Sequence, residues 1–125
     1  FDTLCNHLTD LNRQATYYDL IVTGDLSNYG KTIMKELMKE NHISYKEYDD
    51  CGSLLYSSDQ DVNQGGSGPS CSALVAFGYL YQKMLKHKYK RILVITTGAL
   101  LSPVMTNQKQ SIPCIGHAFS LEVVE

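Results

Sequence analysis

The chain has 125 residues, 43 % of them apolar and 19 % charged, with a formal net charge of −2. That length suits one α/β domain with a real core and is too short for two. The slightly acidic balance argues against nucleic acid as a partner, because duplex binding needs a basic face.

No apolar run approaches the roughly 20 residues that span a bilayer, and no signal peptide opens the chain, so a soluble protein is expected. The sequence begins at Phe1 rather than Met and reads as a piece of something larger. Phe1, Leu4, Cys5, Leu8 and Leu11 have a helical spacing that fades into a polar connector by Tyr18. Residues 19–23 (DLIVT) form a short apolar run ending at Gly24-Asp25, which predicts a buried parallel strand followed by a turn. A helix is expected over 30–41, with Ile33, Met34, Leu37 and Met38 as its apolar stripe. Residues 52–56 (GSLLY) read as a second strand, and the Asp/Gln/Asn/Gly run over 57–68 as a loop.

Gly65-Gly66-Ser67-Gly68-Pro69-Ser70 then leads into a long helix from Cys71 to about Lys86, with Leu74, Phe77, Tyr81, Met84 and Leu85 as its expected apolar face. Residues 91–97 (RILVITT) carry no alternation and read as a central strand covered on both faces. After a loop with Pro103 and Pro113, residues 115–124 read as a final strand. No helix intervenes, so it can lie antiparallel to its predecessor. The order α-β-α-β-α-β-β describes an α/β layer with one antiparallel member.

The glycine-rich turn is the best site candidate. Glycines let the backbone approach a ligand, and helix N-terminal amides attract a carboxylate or phosphate. Ser67, Ser70 and Ser72 could add hydroxyl donors. Taken alone, a tight packing turn that binds nothing is the preferred reading, since the spacing matches neither a P-loop nor a dinucleotide fingerprint. Cys71 lies near the helix start, where a thiolate is stabilised. A structural role is nevertheless preferred for it, with no histidine nearby in sequence to act as base. Asp25, Asp59 and Asp61 could share one sheet edge, although solvated loop aspartates are commoner than a metal site. His7 and His117 read as structural histidines. Cys5, Cys51, Cys71 and Cys114 have no C-x-x-C spacing and no histidines clustered beside them, which disfavours zinc and predicts free thiols.

Five phrases occur in order along the chain: YDLIVTGDLSNYG, DCGSLLY, QDVNQGGSGPSCSALVAFGYL, KRILVITTGALLSP and QKQSIPCIGHAFSLE. Together they resemble the stage V sporulation protein AD family across about the last hundred residues. The family phrase at the glycine-rich turn is close to GGSGCGCSA. Here Pro69-Ser70 departs from it, leaving Gly65, Gly66, Ser67, Gly68, Cys71, Ser72 and Ala73 matched and carrying no role to Ser70.

The resemblance implies a relative of thiolases and ketoacyl synthases, built from two similar α/β halves. This chain would be the second, a thiolase-like half-domain over 1–125 without its opening strand. Its mostly parallel sheet would have helices on both faces, strands near Ile21 and Leu93 side by side, Leu54 at an edge, and Ser120 antiparallel beyond Leu93. Condensing enzymes take their nucleophilic cysteine from the first half, and a histidine and a second histidine or asparagine from turns after second-half strands. The turns Thr23-Gly24-Asp25 and 65–68 hold no histidine, so catalysis is disfavoured. The resemblance implies instead a cofactor-free protein that binds dipicolinic acid, a flat dianion, and supports its uptake into the developing spore. Gly24, Asp25, Gly65, Gly66, Ser67, Gly68, Cys71 and Ser72 are the expected ligand-binding positions. Membrane-embedded SpoVA-type proteins are the expected partners, at the cytoplasmic face of the forespore or spore inner membrane, and a homodimer is a further expectation. The alternative is an acyl-transfer enzyme half-domain.

Overall fold

Leu20–Thr23 form β1, and every residue of it is buried, as a strand covered on both faces requires. The computed structural model describes residues 1–99 and 101–124, so Leu100 of the fourth family phrase and the terminal Glu125 lie outside it. β1 pairs in parallel with β2 (Tyr48–Asp50), Ile21 opposite Tyr48, and with β3 (Arg91–Ile95), Ile21 opposite Leu93. β3 in turn pairs antiparallel with the last strand, Ala118–Glu122, Leu93 opposite Ser120. Between them in sequence, β4 (Gly98–Ala99) and β5 (Cys114–Ile115) make a small ribbon, which makes the last strand β6. The main sheet runs β2-β1-β3-β6. The mixed, mostly parallel α/β fold read from the sequence is what the chain adopts.

Strand residues alternate between two cores, as pleating dictates. On one face, Ile21, Leu93 and Ile95 meet Leu4 of α1 (Asp2–Asp10), Met34 and Met38 of α2 (Ser27–Glu40), and Tyr18. On the other, Leu20, Val22, Ile92 and Val94 meet Cys71, Val75, Ala76, Leu80 and Met84 of the long helix. The chain also forms two short helices, Cys51–Leu54 (α3) and Pro103–Asn107, the latter capped by Ser102, and a 3-10 turn over Ala15–Tyr17. Among the described residues no helix is long and apolar enough to cross a membrane.

Three expectations are corrected. Residues 52–56 are not a strand, and Leu54 does not form the sheet edge. The Asp50 side chain accepts the amides of Gly52 and Ser53 and starts α3 there. The edge strand lies just upstream, on residues whose two aspartates give no β signal. Helix α2 starts at Ser27, three residues before the expected Gly30, because that same Asp50 holds the Ser27 amide. Finally, the long helix buries a different face. It runs as α4 (Cys71–Ala73), a π-helical segment (Leu74–Leu80) and α5 (Tyr81–Leu85). The i→i+5 bonds of the middle segment widen its turn and rotate the buried stripe to positions four or five apart. Of the expected face only Met84 is buried; Leu74, Phe77, Tyr81 and Leu85 are 47–61 % exposed.

Candidate functional site

The parallel strands β1 and β3 end side by side, at Thr23 and Ile95. The turns that follow them converge with the glycine-rich segment on an open cleft of about 1220 Å³. Helix α1 and the β5–β6 connection close its far side. Carboxyl ends of parallel strands are where open α/β sheets hold their ligands.

Two aspartates organise this end of the molecule. Asp50 is fully buried. One oxygen accepts the Thr23 hydroxyl at 2.6 Å and the Leu26 amide at 2.9 Å. The other accepts the amides of Ser27 (2.7 Å), Gly52 (2.9 Å) and Ser53 (3.2 Å). Ser27 sits at φ 59°, a left-handed backbone that a non-glycine residue takes only when held, and its hydroxyl is fastened to the Gly66 carbonyl at 2.8 Å.

Asp25 is half-buried in the cleft wall. It accepts the Ser67 hydroxyl and the Gly68 amide, each at 2.9 Å, and the Thr97 hydroxyl through a short bond. Burial pushes its carboxyl up, but the bonds from Thr97, Gly68 and Ser67 outweigh burial and hold it below the ordinary range. The donors expected to cradle an external anion thus already serve an internal one.

Of the positions expected from sequence, Asp25, Ser67, Gly68 and Ser72 line the cleft, whereas Gly24, Gly65, Gly66 and Cys71 sit behind it. Their glycines answer to packing. A Cβ on Gly24 would lie 2.6 Å from the Thr97 hydroxyl, and one on Gly66 would lie 2.4 Å from the Leu55 side chain. Gly65 has φ +110°, and a Cβ there would lie 2.5 Å from the Gly52 carbonyl oxygen. Cys71 is buried, and burial first, then the charges of Asp25 and Asp50, push its thiol up. Neighbouring Cys51 is pushed up to about 12 for the same reasons. Neither has the environment of a reactive thiolate. Asp59 and Asp61 do not reach the cleft.

Sequence reasoning gave no site role to five contributors. Thr96 and Thr97 line the cleft directly after β3, and the strand-end rule that singled out Asp25 applies equally to them. Cys114, His117 and His7 also line it. His7 gave no local signal, because its partner Tyr18 is a helix and a turn away, at 2.6 Å in space. Among the described residues no three His, Cys, Asp or Glu side chains come together as a metal site.

A mixed sheet with hydroxyl-rich turns around a strand-end cleft makes this an open α/β domain. The sequence of that domain is specific: the chain belongs to the family of stage V sporulation protein AD (SpoVAD), whose sequence model matches residues 1–122. It is 47 % identical over 122 residues to stage V sporulation protein AD of Bacillus subtilis (strain 168), a match covering 97 % of this chain. The chain spans 36 % of that relative's length.

Proposed function

We propose that this chain forms one wall of a non-catalytic small-anion site in a sporulation protein, and that the anion is dipicolinic acid. The observation that carries the reading is the strand-end cleft, whose hydroxyls from Thr23, Ser67, Ser72, Thr96 and Thr97 arrive from three separate segments. The hydroxyls of Thr23, Ser67, Thr96 and Thr97 already donate within the protein, so they give the concave site a fixed polar wall, and a flat dicarboxylate in it would be held by donors that wall leaves open. The relative's greater length leaves room for a second α/β half, which would close the cleft and cover Leu74, Phe77, Tyr81 and Leu85. In this reading the assembled, thiolase-like protein dimerises and works at the cytoplasmic face of the forespore inner membrane, beside membrane-embedded SpoVA-type proteins that carry the ligand across.

Catalysis is disfavoured on residue grounds. The Thr23-Gly24-Asp25 turn carries no histidine, and Cys71 faces the core. Acylation of Cys71 by an acyl thioester would overturn this and support an acyl-transfer enzyme.

The test is calorimetric titration of dipicolinate into the full-length protein, wild type beside Ser72→Trp. Ser72 lines the cleft, so the indole fills it without touching the packing behind Gly66. Saturable binding by wild type that the substitution abolishes is expected; a folded wild type that takes up no dipicolinate refutes the ligand.

A further inference from the structure

An anionic ligand meets an unfavourable wall in this cleft. Among its described lining residues are Asp2, Asp10 and Asp25, and no lysine or arginine side chain. The Gly68 amide and Ser67 hydroxyl already donate to Asp25. A carboxylate placed here needs donors from elsewhere, and one is built into α1.

His7 is half-buried and lines the cleft. Its Nε2 lies 2.6 Å from the hydroxyl of Tyr18, a residue with no exposed surface. Arg13 donates from Nη1 to that same hydroxyl oxygen at 3.0 Å and is itself paired with Glu122 at 3.4 Å. The hydroxyl oxygen is thus occupied as an acceptor, and its single proton has Nε2 as the acceptor within reach. Were Nε2 protonated instead, the buried Tyr18 proton would have nowhere to go, at the full cost of an unsatisfied donor. The network therefore places the imidazole proton on Nδ1. Burial first, then the Arg13 charge, lower the basicity of His7 against an opposing contribution from Asp10, which agrees with a neutral ring. Nδ1 makes no hydrogen bond among the described residues, yet no buried polar side-chain atom is left without a partner, so Nδ1 is open to solvent. With Nε2 turned to the core, the open edge of the ring belongs to the cleft.

We propose that His7 is a ligand-binding residue of the cleft: Tyr18 and Arg13 fix its proton on Nδ1, and Nδ1–H donates to a carboxylate of a small aromatic dicarboxylate ligand. This rests on the small-anion reading above and supplies it with a donor that Asp25 does not already hold. A donor locked in one tautomer on a helix loses little freedom when ligand arrives, which is the value of preorganisation. Tyr18 and Arg13 are positioning residues.

The experiment is dipicolinate titration of the full-length protein with two substitutions and one spectroscopic readout. His7→Gln keeps a polar group near Tyr18 and lacks the Nδ1 donor; affinity should fall about tenfold or more. His7→Asn places an amide N–H near the Nδ1 position and should retain most of the affinity. Nitrogen-15 spectra of histidine-labelled wild type should show His7 protonated at Nδ1 before ligand is added, with that signal moving on saturation. Wild-type affinity in His7→Gln, or an Nδ1 signal unmoved at saturation, overturns the role of His7 and leaves the small-anion reading standing. A folded wild type that binds no dipicolinate overturns both. The spectra need no variant, so a His7→Gln protein that fails to fold does not shield the proposal.

Discussion

Asp50 and Asp25 stand at the same end of one sheet, and each gathers hydroxyl and amide donors from turns remote in sequence. Asp50 has no exposed surface and receives five bonds, two of them from the amides that open α3 and two from those that open α2. Asp25 receives three, from Thr97, Ser67 and Gly68, and keeps one side toward the cleft. The difference separates scaffold from site. A carboxylate with every partner inside the protein holds segments together at high cost of removal. One that ties a cleft wall together yet meets solvent can be altered more cheaply, and its alteration is felt by whatever occupies the cleft.

The widest test of that contrast is Asp50→Ala, which removes the acceptor of four backbone amides and leaves the Thr23 hydroxyl with Tyr48 alone. A loss of ~3–5 kcal/mol is expected, a large part of a domain's total stability. Denaturant unfolding of the full-length protein measures it, and a loss below about 1 kcal/mol would erase the distinction. Asp25→Asn can keep its oxygen toward the Ser67 hydroxyl and Gly68 amide, which share one carboxylate oxygen, and turn its amide N–H to the Thr97 hydroxyl as acceptor; half-exposure and solvent screening limit its cost to ~1 kcal/mol. The same unfolding curve gives that value, and parity with Asp50→Ala would break the comparison from the other side. The smallest effect is in pH. The folded carboxyl of Asp25 titrates below its ordinary value of 3.8, so its contribution is fully present above that value and lost as pH falls through the lower, folded one. Wild type should therefore shed, between about pH 4 and its acid unfolding, a small increment that Asp25→Asn lacks. Superimposable acid-unfolding curves for the two proteins would remove Asp25 from the latch.

Much of this architecture was legible before any coordinates. DLIVT and RILVITT are short, unbroken apolar runs between turn residues, and both became central strands because parallel strands bury both faces. Asp25 was singled out by the strand-end rule and Ser67 and Gly68 by the glycine-rich helix entry, and all three line the cleft. What stayed hidden was governed by distance. The residues Tyr48–Asp50 are held as a strand by pairing with β1 and not by their own composition. The start of α2 is set by a carboxylate 23 residues downstream. The tautomer of His7 depends on a tyrosine 11 residues away. The buried face of the long helix was misread for a different reason: 3.6-residue periodicity does not describe a helix whose middle is π-wound.

The double cap made by Asp50 also bears on the order in which the chain assembles. The opening amides of α3 are capped by the neighbouring Asp50, but those of α2 are not satisfied until residues 26 and 50 meet, so the entropy of closing that 24-residue loop stands before α2. Local propensity cannot complete α2 ahead of its neighbour. The first turn of α2, the Asp50 end of the edge strand and the Gly66 carbonyl tied to Ser27 are therefore expected to form and open together.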